Sequence, residues 1–509
     1  MSQNVSKEKK LTLISLILMI FTSVFGFTNI PRSFYLMGYA AIPWYIISAA
    51  FFFIPYAFMM AEYGAAFKGE SGGIYSWMKR SVNEKYAFIG TFMWYASYVI
   101  WMVNISSSIW IVVSTAIFGR DLTSNWKILG LNSTQTMGLL GVILIVSITF
   151  IATKGLNKIT KITSIGGLAV TFINLVLLFG SLLILALNGG HLAQPITSFK
   201  GAFFNSPNPG YQTLISVGSF MVFSIFAFGG IEVIGGLSDK TENAEKTFPK
   251  GVTVAAIVIA IGYAVGIFLC GIFTNWNEIL SSPGVHMGNV AYVLMENLGY
   301  QIGQALGLAS GTSETIGLIM SRYMGISMVL ALLGAFFTLC YSPLKQLIEG
   351  TPDEMWPEYV KKIKNDMPMN AMWIQCGIVV VFVILVSFGG EGASKFFSKL
   401  ILMTNVAMTI PYVFVAGAFP LFKEKTEIAK PFEIYKKRST VLIATFFTII
   451  SVSFANIATI LSPYLTSGDI SSTIWMIAGP VFFTIVALGI YKKYELKHLK
   501  DQAIIATDK

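Results

Sequence analysis

Twelve apolar runs of about 18 residues or more follow one another along the chain, at 11–37, 39–66, 86–118, 136–153, 159–187, 212–237, 252–274, 315–342, 371–389, 398–422, 440–463 and 473–491. Runs of this length match the hydrocarbon thickness of a bilayer when wound as α-helices. Their repetition excludes the three soluble domains that a length of 509 would otherwise suggest. Only 12% of the residues are charged, against roughly 25% in soluble domains. The pattern predicts one all-α integral membrane unit with twelve transmembrane helices.

The net charge of +10 could point to nucleic acid, so the placement of the basic residues decides. If the N-terminus is cytoplasmic, 28 Lys and Arg fall on the cytoplasmic side and seven on the other. That is the bias insertion imposes, so it accounts for the charge, excludes a nucleic-acid partner and puts both termini in the cytoplasm. The lysines before residue 11 superficially resemble a secretory signal, but the apolar run that follows is too long for one and reads as the first span.

Cys270, Cys340 and Cys376 lie inside or at the edge of apolar runs, without metal or redox spacing, and read as small core residues. The three histidines, His191, His286 and His498, fall in loops or the tail. The spans therefore lack the nucleophile–base set or metal ligands that a membrane enzyme requires, and no catalytic residue, metal or cofactor is expected.

Two spans carry interruptions, Thr22–Pro31 in the first and Phe226–Glu232 in the sixth. Backbone that leaves helix inside a bilayer must be buried in protein or line a cavity. Breaks in corresponding spans point to an inverted-repeat transporter, five plus five helices with two more. The expected organisation is an N-terminus at 1–10, a first repeat at 11–187, a second at 212–422, two added helices at 440–491 and a short tail at 492–509.

Charges inside spans are candidates for function by their cost alone. Glu232, directly after Gly229-Gly230, reads as a gating or proton-coupling group or as a structural acceptor. Glu62 reads as structural, bonding loop backbone or a basic neighbour. Arg32, just past Pro31, faces an outer vestibule or snorkels outward.

Three stretches resemble signatures of the amino acid-polyamine-organocation superfamily: Ala61-Glu62-Tyr63-Gly64 through Gly72-Gly73-Ile74-Tyr75, Phe228-Gly229-Gly230-Ile231-Glu232 on to Phe248-Pro249-Lys250, and Ser342-Pro343-Leu344-Lys345 through Met355-Trp356-Pro357 to Met367-Pro368-Met369-Asn370. Within it the chain is most similar to the glutamate/GABA antiporter branch. The resemblance implies a LeuT-like fold in the plasma membrane, with broken helices 1 and 6, that exchanges amino acids by alternating access. Open alternatives are a proton-coupled amino acid or amine permease and an exchanger of amino acids for their decarboxylation products. The substrate and the oligomeric state stay open.

In such a fold the zwitterion is met by broken-helix backbone: N–H groups at Gly26, Phe27 and Thr28 for the carboxylate, carbonyls at Ser23, Val24, Phe226 and Ala227 for the ammonium, with Gly229 at the second break. The resemblance further implies Trp101 and Asn104 as a side-chain wall, with ordinary helix packing as the alternative. Phe226 and Phe336 (or Phe337) resemble aromatic gates, although 40 Phe make the latter weak by itself. The chain departs from the superfamily in carrying Val24-Phe25-Gly26-Phe27 at its first break, Phe226 for tryptophan, and Val170 where some sodium-independent relatives have lysine. The short tail argues against a long cytoplasmic plug.

Overall fold

Every regular element among the described residues is a helix. The computed structural model describes residues 11–68, 73–153, 159–232, 241–363, 367–390 and 393–507, without the side chains of 22–23, 159–167, 393–394, 396–397 and 500–507. In chain order the helices are α1 (Leu13–Val24), α2 (Asn29–Met37), α3 (Ala41–Ser48), α4 (Ile54–Ala66), α5 (Gly73–Ser81), α6 (Glu84–Phe118), α7 (Ser133–Ala152), α8 (Ile159–Leu187) and α9 (Phe199–Phe204). They continue as α10 (Leu214–Ala227), α11 (Ala244–Phe273), α12 (Val290–Ala305), α13 (Ser310–Gly350), α14 (Glu358–Lys361), α15 (Met369–Ser387), α16 (Ala393–Glu424), α17 (Arg438–Ser467) and α18 (Ile470–Thr507).

Local chemistry sets many of the ends. The Asn83 side chain caps α6, whose far end closes on Gly119 in the left-handed region at φ 79°. Asn132 with Gln135, and Thr213 with Ser216, form reciprocal caps at the starts of α7 and α10. Ten helical stretches among the described residues are long and apolar enough to cross a membrane. In the expected first and sixth spans the leading helices stop short of a full crossing, α1 after 12 residues and α10 after 14. Residues 233–240, which include the end of the expected sixth span, lie outside the described residues.

Three features depart from the expected pattern. The second span is divided into α3 and α4 by a π turn at Ala49–Phe53. The wider turn lets two consecutive rings point inward, Phe52 onto Tyr412 at 5.1 Å and Phe53 onto Phe228 at 4.5 Å. Between the seventh and eighth spans lies α12, 16 residues that the hydropathy pattern leaves as loop because Glu296, Asn297 and Gln301 interrupt its apolar stripe. It packs along α13 and α8. Finally, α18 runs past residue 491 to Thr507, since the Lys-, Glu- and Leu-rich segment that follows favours helix after the apolar stretch ends.

The centre of the bundle is α6, which packs against α13, α16, α5, α7, α15 and α18. On the basic-rich face, Glu62 ties the bundle together. Its Oε1 accepts from the backbone N–H groups of Ile434 and Tyr435 at 2.7 and 2.8 Å, and its Oε2 accepts from Lys423 at 2.8 Å. Both structural partners expected for Glu62 are thus present together.

The opposite face has its own clasp. Arg32 is half-buried, and its Nε donates to the carbonyl of Met287 at 3.0 Å instead of reaching outward. One residue away, His286 Nδ1 accepts from the Gly288 N–H, and His286 Nε2 lies 3.5 Å from Asp121. Asn289 donates to the same carboxylate at 3.3 Å. Burial works to raise the Asp121 carboxyl, but hydrogen bonds from His286 and from the Thr123 hydroxyl and N–H outweigh it and hold the group below its ordinary value.

A depressed carboxylate contributes stability above its unfolded pKa, near 3.9, and loses it as the pH falls through the folded value. Asp121→Ala is therefore expected to cost about 1–3 kcal/mol at neutral pH. The difference from wild type should shrink below about pH 4. Thermal unfolding of both proteins in detergent at pH 7 and pH 3.5 checks this; an equal difference at the two pH values would contradict it.

Candidate functional site

The two expected breaks meet, and one side chain joins them. After α1 ends at Val24, Phe25 turns the chain out of helix at φ −80°, ψ 89°, and α2 starts at Asn29 without a side-chain cap. In the sixth span α10 ends at Ala227, and the chain turns through Phe228 to Gly230, whose φ is 109°. A side chain at Gly229 would run into the Tyr412 hydroxyl at 2.1 Å, and Gly230 holds a backbone conformation that residues with a Cβ seldom adopt.

Between the breaks stands Tyr263 of α11. Its hydroxyl accepts from the Gly26 N–H at 2.9 Å and lies 2.7 Å from the Ala227 carbonyl and 3.1 Å from that of Val24, either of which can take its single proton. Asn29 Nδ2 reaches the same oxygen at 3.5 Å. Three of the seven backbone groups expected to meet a substrate's carboxylate and ammonium therefore converge on one internal hydroxyl. The N–H groups of Phe27 and Thr28 have no hydrogen-bond partner among the described residues, which leaves two donors at the start of α2.

Close packing places this hydroxyl. At Gly262 an added Cβ would lie 2.9 Å from the Phe25 ring, and at Gly266 one would lie 2.5 Å from Ile30. Two glycines four apart let α11 approach the broken first span closely. Phe25, Tyr45 and Phe228 pack on the Tyr263 ring at 4.6, 5.1 and 5.4 Å. The spacing of the apolar pattern did not reveal Tyr263. Its one sequence signal is that it is the sole tyrosine in the run 252–274.

The remaining expected residues divide into three groups. Trp101 and Phe336 do come together, with ring centroids 5.7 Å apart at 64°, so α6 and α13 share an aromatic contact; Asn104 is buried one turn further along α6. Phe226 is half-buried in the last turn of α10, its carbonyl accepting from the Gly229 N–H at 2.9 Å. Ser23 belongs to the last turn of α1, and its side chain lies outside the described residues.

Glu232 is 4% exposed and accepts from the Gly230 N–H at 3.1 Å. It forms no ion pair among the described residues. Its electrostatic neighbours are aromatic: Trp94, Tyr56, Tyr98 and Tyr412. The Tyr56 hydroxyl is buried without a partner among the described residues. A carboxylate placed this way costs stability unless something offsets it. No cluster of potential metal ligands occurs among the described residues.

The chain is 55% identical to the inner membrane transporter YjeM of Escherichia coli (strain K12), over 96% of each chain. It is 24% identical to the aspartate/glutamate permease AcaP of Lactococcus lactis subsp. cremoris (strain MG1363), covering 86% of this chain and 84% of that one. It is 21% identical to the glutamate/gamma-aminobutyrate antiporter of Lactococcus lactis subsp. lactis (strain IL1403), covering 89% and 84%. The model of the amino acid permease family matches residues 11–487, from the first helix into the last. With both helix breaks inside that match, the chain belongs to the amino acid permease family, whose members are transporters rather than enzymes.

Proposed function

We propose that the chain exchanges amino acids across the plasma membrane by alternating access. The supporting observation is the convergence of Gly26 N–H, Val24 C=O and Ala227 C=O on the Tyr263 hydroxyl. A zwitterion carries an anionic acceptor and a cationic donor of the same two kinds as that hydroxyl, and it competes for the same backbone groups. On this reading the free N–H groups of Phe27 and Thr28 complete the carboxylate site, while Ser23, Val24, Phe226 and Ala227 receive the ammonium. Gly229 admits the close approach of the chain, Trp101 and Asn104 face the substrate side chain, and Phe226 and Phe336 close over it.

The same reading takes 11–187 and 212–422 as inverted five-helix repeats within twelve spans, with 440–491 added and both termini cytoplasmic. The repeats rock about the site so that it opens to each side in turn. The names of the aspartate/glutamate permease and the glutamate/gamma-aminobutyrate antiporter make aspartate, glutamate and γ-aminobutyrate the first solutes to test.

A second reading, a proton-coupled permease, draws on Glu232: a buried carboxylate with no cationic partner among the described residues is suited to taking up a proton as the carrier reorients. Radiolabelled uptake into proteoliposomes separates the two. Exchange predicts uptake only into vesicles loaded with unlabelled solute, and Glu232→Gln then keeps exchange insensitive to an imposed pH gradient. Uptake into empty vesicles that follows the gradient, abolished by Glu232→Gln, selects the permease. Folded protein that moves neither amino acids nor amines would sink both readings.

A further inference from the structure

At the basic-rich face, a groove of about 470 Å³ runs between the first turns of α11 and the loop 425–437. Its apolar lining includes Pro249, Val254, Phe432 and Ile434, and its cationic lining is Lys246 and Lys250. The one carboxylate in the lining, Glu245, is taken by Lys68. Elsewhere on this face Lys79, Lys361, Lys423 and Arg438 each pair with a carboxylate. Lys246 and Lys250 are exposed and have no such partner among the described residues.

The helix places these two cations at the head of an apolar stripe. Lys246, Lys250, Val254, Ile257, Val258, Ile261 and Val265 recur at steps of three and four and so share one side of α11. Every apolar member of that series is exposed. From Lys250 to Val265 the stripe is about 22 Å long, against about 15 Å for one leaflet of hydrocarbon. The two ammonium groups belong to residues about 6 Å apart along the axis, a spacing that lets both reach one phosphodiester.

We propose that this groove is a binding site for an anionic glycerophospholipid, with its headgroup phosphate held by Lys246 and Lys250 and an acyl chain laid along the Val254–Val265 stripe. Neither half suffices alone: free phosphate has nothing to place on the stripe, and a zwitterionic lipid brings a cation of its own toward the lysines. The site is separate from the broken-helix centre, so it stands or falls independently of which solute is carried.

Native mass spectrometry of the intact protein, titrated with phosphatidylglycerol or phosphatidylcholine, tests the assignment. Phosphatidylglycerol should bind tighter, and Lys246→Gln/Lys250→Gln should weaken it by about 10- to 30-fold. Lys492→Gln/Lys493→Gln in α18, which does not line the groove, removes the same charge and should leave binding within about twofold. Ile257→Ser/Ile261→Ser should weaken phosphatidylglycerol while leaving any binding of inorganic phosphate unchanged. Equal retention of the two lipids, equal losses in the two lysine pairs, or phosphate competing as well as lipid would each overturn it.

Discussion

Tyr263→Phe is expected to slow amino acid exchange on the order of 100-fold while leaving the protein folded. The ring that packs on Phe25, Tyr45 and Phe228 is kept, so the aromatic cluster around both breaks survives. What disappears is one oxygen and its proton. The Gly26 N–H then loses its acceptor, and the carbonyls of Val24 and Ala227 lose their shared donor. A buried polar group left unsatisfied costs about 1–3 kcal/mol, and about 3 kcal/mol set against one step of the cycle is a rate factor near 100.

The loss is confined to the breaks, where the proposed site lies, and does not extend along the packed helices. Initial rates of counterflow in loaded proteoliposomes give the effect, and the elution profile of the purified variant gives its fold. Counterflow at the wild-type rate would show that the hydroxyl only fills space between the helices.

Glu62→Ala carries the largest expected effect on stability, a loss of about 3–5 kcal/mol. The Glu62 side chain is fully buried and that of its partner Lys423 is 9% exposed, so this pair is not weakened by solvent as surface pairs are. Removing the carboxylate strands two backbone N–H groups in the 425–437 loop and leaves Lys423 with Glu433 alone, at 2.6 Å. Glu62→Gln keeps an acceptor for the loop but not the charge, and should cost roughly half as much. Thermal unfolding followed by tryptophan fluorescence orders the three proteins. A shift below that of a typical surface substitution, about 0.5 kcal/mol, for Glu62→Ala would refute the clasp.

Much of this architecture was legible in the apolar runs, because hydropathy reports whether each helix can cross a bilayer without reference to its neighbours. The positions of both interruptions were legible for the same local reason: Gly26 in one run, and Gly229 with Gly230 in the other, weaken the helix where they stand. Glu62 was readable as a structural group because a carboxylate near a helix end, beside basic loops, has partners at hand. By contrast, the π turn at Ala49–Phe53 leaves no trace in hydropathy, since Ala-Ala-Phe-Phe-Phe is apolar in any helical register. The helix α12 was hidden by its polar residues, which tertiary contacts absorb: Asn297 donates to the Phe273 carbonyl at 2.8 Å and to the Thr274 hydroxyl at 2.9 Å.

By itself, then, the sequence determined that the chain is a helical membrane protein, where most of its long apolar helices run and where two of them stop, because each of these depends on residues within a turn or two of one another. The tertiary structure alone decided what satisfies the backbone at the stops. Tyr263 lies 237 residues from Gly26 and 36 from Ala227, and Asn289 lies 168 residues from the Asp121 it helps to hold. An open N–H or carbonyl in a broken helix accepts whichever side chain the packing of other helices brings within 3 Å, and no local pattern encodes that choice.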